Sequence, residues 1–152
     1  TPSALTSDHA LATDGSGPEW VESTVNAVGN GPYWRNTAIF VVWDDWGGWY
    51  DHVPPVLYNF YELGFRVPLI VVSPYARPHY VSHVQHEFGS ILRFTEETFG
   101  LGSLNHTDAR SDDLADCFNF SQAPLPFQTI VSVHRRPILL RTPSNRPPDD
   151  DF

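Results

Sequence analysis

The chain has 152 residues, 41% of them hydrophobic and 18% charged, which is enough for one domain with a real core. Its formal net charge of −9 argues against nucleic-acid or anionic-membrane binding through broad electrostatics, and no apolar run approaches the roughly 20 residues of a membrane span. The single Cys117 excludes an internal disulfide, and no signal-peptide pattern is present. There is no methionine, and the chain opens on Thr1 in what reads as mid-domain loop, so it is expected to be the C-terminal piece of a longer protein.

In chain order, residues 1–17 form a polar loop containing Ser7-Asp8-His9, with Gly15 and Gly17 marking turns. Pro18 suits the first residue of a helix that runs to Val28, placing Trp20, Val21, Val25 and Val28 on one face, and Gly29 supplies the stop. Residues 30–36, NGPYWRN, are a turn-rich connector. Thr37–Trp43 is short, uninterrupted and rich in Val, Ile and Phe, so it reads as a strand buried on both faces.

The character then reverses within one residue. Asp44 and Asp45 stand at the end of this strand, the edge where open α/β sheets place their chemistry. Two adjacent carboxylates are costly to bury without a partner charge, and a divalent cation with oxygen ligands resolves that cost. Gly47 and Gly48 let the backbone turn between Trp46 and Trp49, and Asp51 and His52 add a further acid and a proton-transfer group. The competing structural reading is a polar turn whose Asp side chains bind local backbone amides.

Pro54-Pro55 extends the backbone into VLYNFYELGF, where Tyr58, Phe60 and Tyr61 are read as packing in preference to a lid. Arg66–Ser73 is a second buried strand with Pro68 near its start. The next helix is expected to be capped by Ser82, with Gln85 at the capping-box position, and to end before Gly100. Phe88, Ile91, Leu92, Thr95 and Phe99 form its inward stripe. His79, His83 and His86 cluster at its start and raise the question of zinc, although Asp44 and Asp45 fit a hard, oxygen-ligated ion better than an all-histidine site. Residues 111–118, SDDLADCF, read as a short helix capped by Ser111 with Leu114 and Phe118 inward. Residues 122–152 read as an extension, an edge strand or hairpin followed by a disordered acidic tail.

The motifs SDH, VNAVGNGPYWRNTAIFV, WDDWGGWYDHVPP, GFRVPLIVVSPYARPHYVSH and FGSILRFTEETFGL, in this order over about residues 3–121, resemble the bacterial phosphoesterase family of phospholipases C and an acid phosphatase within the alkaline-phosphatase superfamily. The resemblance implies an α/β fold with a mostly parallel sheet flanked by helices, of which residues 1–121 would be the C-terminal half. It implies one divalent metal ion, Ca, Mg, Mn or Zn, held by Asp44 and Asp45. It also implies a catalytic His9 against a phosphoryl oxygen, although Ala10 replaces the proline usual after this motif. Asp51 and His52 would serve as orienters or as acid and base. His83, Trp46, Gly47 and Gly48 are candidates for lining the site. The hydroxyl nucleophile and the other metal ligands would lie in the missing N-terminal half of the domain, a partner the fragment needs. The substrate would be a phosphoester, a phospholipid among the options, and the resemblance is compatible with an exported or periplasmic protein.

Two other readings compete. Exposed tryptophans beside an acidic loop could form a carbohydrate- or cation-binding module, but such modules are typically all-β, whereas this chain alternates helices and strands. A truncated relic would keep the fold and lose the activity.

Overall fold

The computed structural model describes residues 2–3, 6–9 and 15–131. Helix α1 spans Ser16–Gly29, two residues earlier than Pro18 alone implies, and Asn30 caps it with its N–H on the Asn26 and Val28 carbonyls. Gly17 is dictated by a close approach, since a Cβ there would stand 2.7 Å from the Asp8 backbone. The start of α1 is therefore packed directly on the loop that carries His9.

A 3-10 turn at Trp34–Asn36 leads into β1, Ile39–Val42, which pairs with β2, Leu69–Val72. The pairing is antiparallel, with Phe40 opposite Val71 and Val42 opposite Leu69. This corrects the expectation of a mostly parallel sheet for the described residues. A parallel return needs a crossover, usually a helix, and residues 43–68 contain no helix, so the chain simply comes back beside itself. The expectation of burial on both faces also fails: Val42 is 37% and Ile70 48% exposed.

Alternation along the two strands decides where the core lies. Ala38, Phe40, Leu69 and Val71 face the buried cluster of Leu114, Cys117 and Phe118, which Ile91 and Phe94 close from the next helix. Phe118 stacks on Phe94 at 5.0 Å, and Phe40 meets Phe94 edge-on at 5.2 Å. Each such ring pair adds about 0.5–1.5 kcal/mol beyond area burial.

Helix α2 spans Phe88–Phe99. Its start is set by Glu87 and Ser90, with the Glu87 N–H donating to Ser90 Oγ at 3.2 Å. Ser82 is not the cap, because its hydroxyl donates to Asp116 Oδ2 at 2.5 Å. Gly100 ends the helix with φ 64°, as its position in the sequence implies. The inward stripe differs from expectation: Ile91 and Phe94 pack on the core, while Phe88, Leu92 and Phe99 remain exposed. Helix α3, Thr107–Arg110, packs on α2 at Gly89, where a Cβ would clash with Ser111 Oγ and Thr107.

Ser111 follows α3 instead of starting a helix, and a single 3-10 turn, Ala115–Cys117, stands where a longer helix was expected. Leu114 and Phe118 are nevertheless buried as expected, at 0% and 3% exposure. Leu114 reaches the core in a left-handed conformation, φ 59°.

Residues 119–131 have no helix or strand, but they are tied down. Leu125 donates its N–H to the Pro74 carbonyl at 3.0 Å, and Trp34 Nε1 donates to the Leu125 carbonyl at 2.9 Å. Asn26 makes a reciprocal pair of hydrogen bonds with the Ile130 backbone, at 2.8 and 2.9 Å. Most of the expected hairpin and the whole acidic tail lie outside the described residues.

Candidate active site

The face of β1 opposite the core looks onto a cavity of about 880 Å³, walled on its far side by Trp20, Val21 and Val25 of α1. His9, Asp44, Asp45, Trp46, Gly47, Asp51 and His52 all line it. Chain folding thus brings together candidates that stand on two separate loops. Gly48 shapes the turn without lining the cavity, and His83 lines a neighbouring cavity of about 1070 Å³. The two cavities share Val42, Asp51, Arg66 and Pro68 in their walls.

The loop after β1 is rigidified locally. Asp45 Oδ1 accepts the Gly47 N–H at 2.5 Å, and the Trp49 N–H reaches the Trp46 carbonyl at 3.1 Å. Gly47 and Gly48 take φ values of 63° and 73°, a consecutive left-handed pair that side-chain-bearing residues adopt only at a cost. The local-turn reading of the aspartates therefore holds for one oxygen of Asp45. Among the described residues, Asp44 and the second oxygen of Asp45 have no hydrogen-bond or ionic partner.

Asp51 is engaged quite differently. Arg66 holds it in a fork, Nε to Oδ2 at 2.7 Å and Nη2 to Oδ1 at 3.1 Å, and the Val53 N–H adds a third donor at 2.9 Å. The Arg66 hydrogen bond, then the Val53 amide, holds its carboxyl below the ordinary range. An ionised carboxylate locked this way suits positioning and not proton donation. Its neighbour His52 lies 3.8 Å from it with 85% of its side chain exposed.

Two residues were missed in the sequence. Asp8 lines the same cavity and accepts the Trp43 indole N–H at 3.2 Å, which ties the His9 loop to the end of β1. Arg66 carries the only guanidinium in the cavity wall among the described residues. Asp51 and Arg66 are 15 residues apart, and Asp8 and Trp43 are 35 apart, so no local pattern signals either pair.

The donors left at Asp44 and Asp45 are hard carboxylate oxygens, the kind that a divalent ion accepts. They fit one as two ligands of a larger set. No third His, Cys, Asp or Glu converges with them among the described residues.

The tyrosine-rich stretch also departs from expectation. Phe60 and Tyr61 are 93% and 91% exposed and contact each other at 5.1 Å, while the Tyr58 ring lies under the Arg110 guanidinium at 4.0 Å. A tight turn, in which Tyr58 and Asn59 both donate to the Glu62 carbonyl, projects them outward instead of packing them.

Paired aspartates at the end of β1 and a histidine-bearing loop thus line one cavity of a small α/β unit. The phosphoesterase family profile matches residues 1–102, and the chain belongs to that family. It is 29% identical over 153 residues to phospholipase C B of Mycobacterium tuberculosis, covering 82% of this chain and 29% of that protein. Non-specific phospholipase C1 of Arabidopsis thaliana is 27% identical over 143 residues, covering 77% of this chain and 27% of its own length. Non-specific phospholipase C3 of the same plant is 30% identical over 121 residues, 64% of this chain and 23% of that protein. The chain spans less than a third of the length of these curated relatives.

Proposed function

We propose that this chain contributes part of the active site of a metal-dependent phosphoric-ester hydrolase of the phospholipase C kind. The observation that carries the reading is the convergence of His9, Asp44, Asp45 and His52 on one cavity. Family membership and the phospholipase names of the relatives support the reaction class.

Asp44 and Asp45 would hold a divalent ion as two ligands of a larger set. When bound, that ion supplies positive charge for the phosphoryl oxygens and lowers the pKa of an attacking hydroxyl. His9 faces the same space and hydrogen-bonds a phosphoryl oxygen, stabilising negative charge as it develops. Asp51, fixed by Arg66, anchors the loop so that His52 projects at the cavity edge, where a leaving-group oxygen can take a proton from it.

The test is hydrolysis of a chromogenic phosphate monoester and diester by the complete gene product, wild type against Asp45→Asn, with divalent ions controlled. Loss of an outer partner of a metal typically costs about 10–100-fold, so loss of a direct ligand is expected to cost at least that. A higher diester rate supports the phospholipase C reading, and a higher monoester rate moves the acid-phosphatase reading ahead. Turnover indifferent to Asp45→Asn overturns the role given to the aspartates.

A further inference from the structure

Away from the Asp44–Asp45 cavity, the residues behind α2 bring three chemically different donors together. His86, Asp116 and Cys117 each offer one ligand atom, and these atoms all lie within 4.8 Å of one another. His86 Nε2 is 3.8 Å from Asp116 Oδ1, and Cys117 Sγ is 3.6 Å from the same oxygen. A tetrahedral zinc with these ligands would have N–O and O–S edges of about 3.3 and 3.5 Å, so the O–S edge already matches and the N–O edge must shorten by about 0.5 Å for the three to coordinate.

The surroundings are organised in the same sense. His86 Nδ1 lies 2.8 Å from Asp112 Oδ1, and that carboxylate is itself held by Ser90 Oγ at 2.6 Å and the Leu114 N–H at 3.0 Å. A carboxylate on the remote nitrogen is the usual partner of a metal-binding histidine, because it orients the ring and turns the other nitrogen toward the ion. Here Nε2 is the nitrogen that faces Asp116. Asp116 takes hydrogen bonds from the neutral hydroxyls of Tyr80, at 3.0 Å, and Ser82, at 2.5 Å. Tyr80, Ser82, His86 and Cys117 line the larger cavity, which gives an ion a route in.

A Ser–His–Asp nucleophile is the obvious rival, since Ser82 Oγ is 2.8 Å from His86 Nε2. It is disfavoured by charge: an alkoxide at Ser82 would stand 2.5 Å from an Asp116 carboxylate oxygen, a like-charge contact that opposes forming the nucleophile.

We infer that His86, Asp116 and Cys117 form a second metal site, selective for zinc or a similar borderline ion, with Ser82 Oγ or a cavity water in the fourth position. The thiol and imidazole exclude a preference for calcium or magnesium, which separates this site from the all-oxygen pair at Asp44 and Asp45. Against the ion stands the hold of Cys117 on its proton, with a pKa pushed up to about 11 by burial first and Asp116 second. Coordination overrides that hold, because a metal-bound thiol is deprotonated outright.

Cobalt(II) titration of the full chain tests this, because Cys117 is the only cysteine and any thiolate-to-cobalt charge-transfer band must come from it. The expected result is a near-ultraviolet band that saturates at about one equivalent and is displaced by zinc. It should be lost in Cys117→Ser, and Asp116→Asn should weaken cobalt at least about tenfold. Circular dichroism establishes that each variant is folded, and either folded variant suffices for the test. Asp45→Asn should leave the band intact. The site is overturned by absence of the band in wild type, by its survival in folded Cys117→Ser, by unchanged affinity in folded Asp116→Asn, or by its loss in Asp45→Asn.

Discussion

Arg66 grips Asp51 through two nitrogens, 2.7 and 3.1 Å from the two carboxylate oxygens, and so staples the loop after β1 to the residues that precede β2. The geometry sets the sign of a titration. Asp51 has its pKa lowered from 3.8, mainly by the Arg66 hydrogen bond, so the stabilisation is present above that value and is lost as pH falls below it. In Arg66→Gln the Asp51 midpoint should rise toward 3.8, as read by carboxyl-carbon NMR titration. An unmoved midpoint would show that the fork does not form in solution.

Phe94 stacks on Phe118 in the core, and Phe118 is only 3% exposed. Phe118→Ala removes that contact together with those to Phe40 and Phe120. A loss of about 3–5 kcal/mol is expected in denaturant unfolding, whereas truncating the 93%-exposed Phe60 should change stability by less than about 0.5 kcal/mol.

Two glycines should respond to alanine for different reasons. At Gly89 a new methyl meets the Thr107 carbonyl carbon at 2.8 Å, so α2 and α3 must separate, at about 1–3 kcal/mol. Gly100 has open space around it but a left-handed φ of 64°, so alanine there costs about 1–2 kcal/mol from the backbone alone. Asparagine, which tolerates that conformation, should recover part of the loss at position 100 and none at 89. Thermal melts of the four variants decide between the two causes.

Asp108 is 1% exposed and accepts from Ser103 Oγ and from the N–H groups of Leu104 and His106 at 2.8 and 2.9 Å. The Ser103 hydroxyl, first among these, brings its pKa down to about 2. A depressed carboxylate contributes its full stability above its unfolded value near 3.8 and loses it as pH falls toward 2. Wild type should therefore melt well above Asp108→Asn at pH 6, with the gap narrowing between pH 4 and pH 2. A gap that is constant with pH would place the effect elsewhere.

The sequence by itself determined the local items. The end of α2 follows from Gly100, which reaches its left-handed φ cheaply, whereas Gly29 ends α1 without such a conformation and is instead packed against the Phe127 ring. The turn at Gly47-Gly48 was legible for the same reason as the end of α2, whereas Leu114 and Phe118 are buried as expected although the helix that implied it is only a 3-10 turn. The site candidates His9, Asp44, Asp45, Asp51 and His52 could be named because they sit in dense, ordered motifs. Tertiary structure decided the rest. Strand direction was invisible, since an apolar run such as IFVV reads the same whether its neighbour runs parallel or antiparallel, and only the path of residues 43–68 settles it. The start of α2 moved from Ser82 to Glu87 because Ser82 is claimed by Asp116, 34 residues away. The Asp51–Arg66 fork and the His86–Asp116–Cys117 triangle likewise join residues that no helical or strand period relates. Such contacts depend on how separate segments close on one core, which is a property of the folded chain and not of any stretch of it.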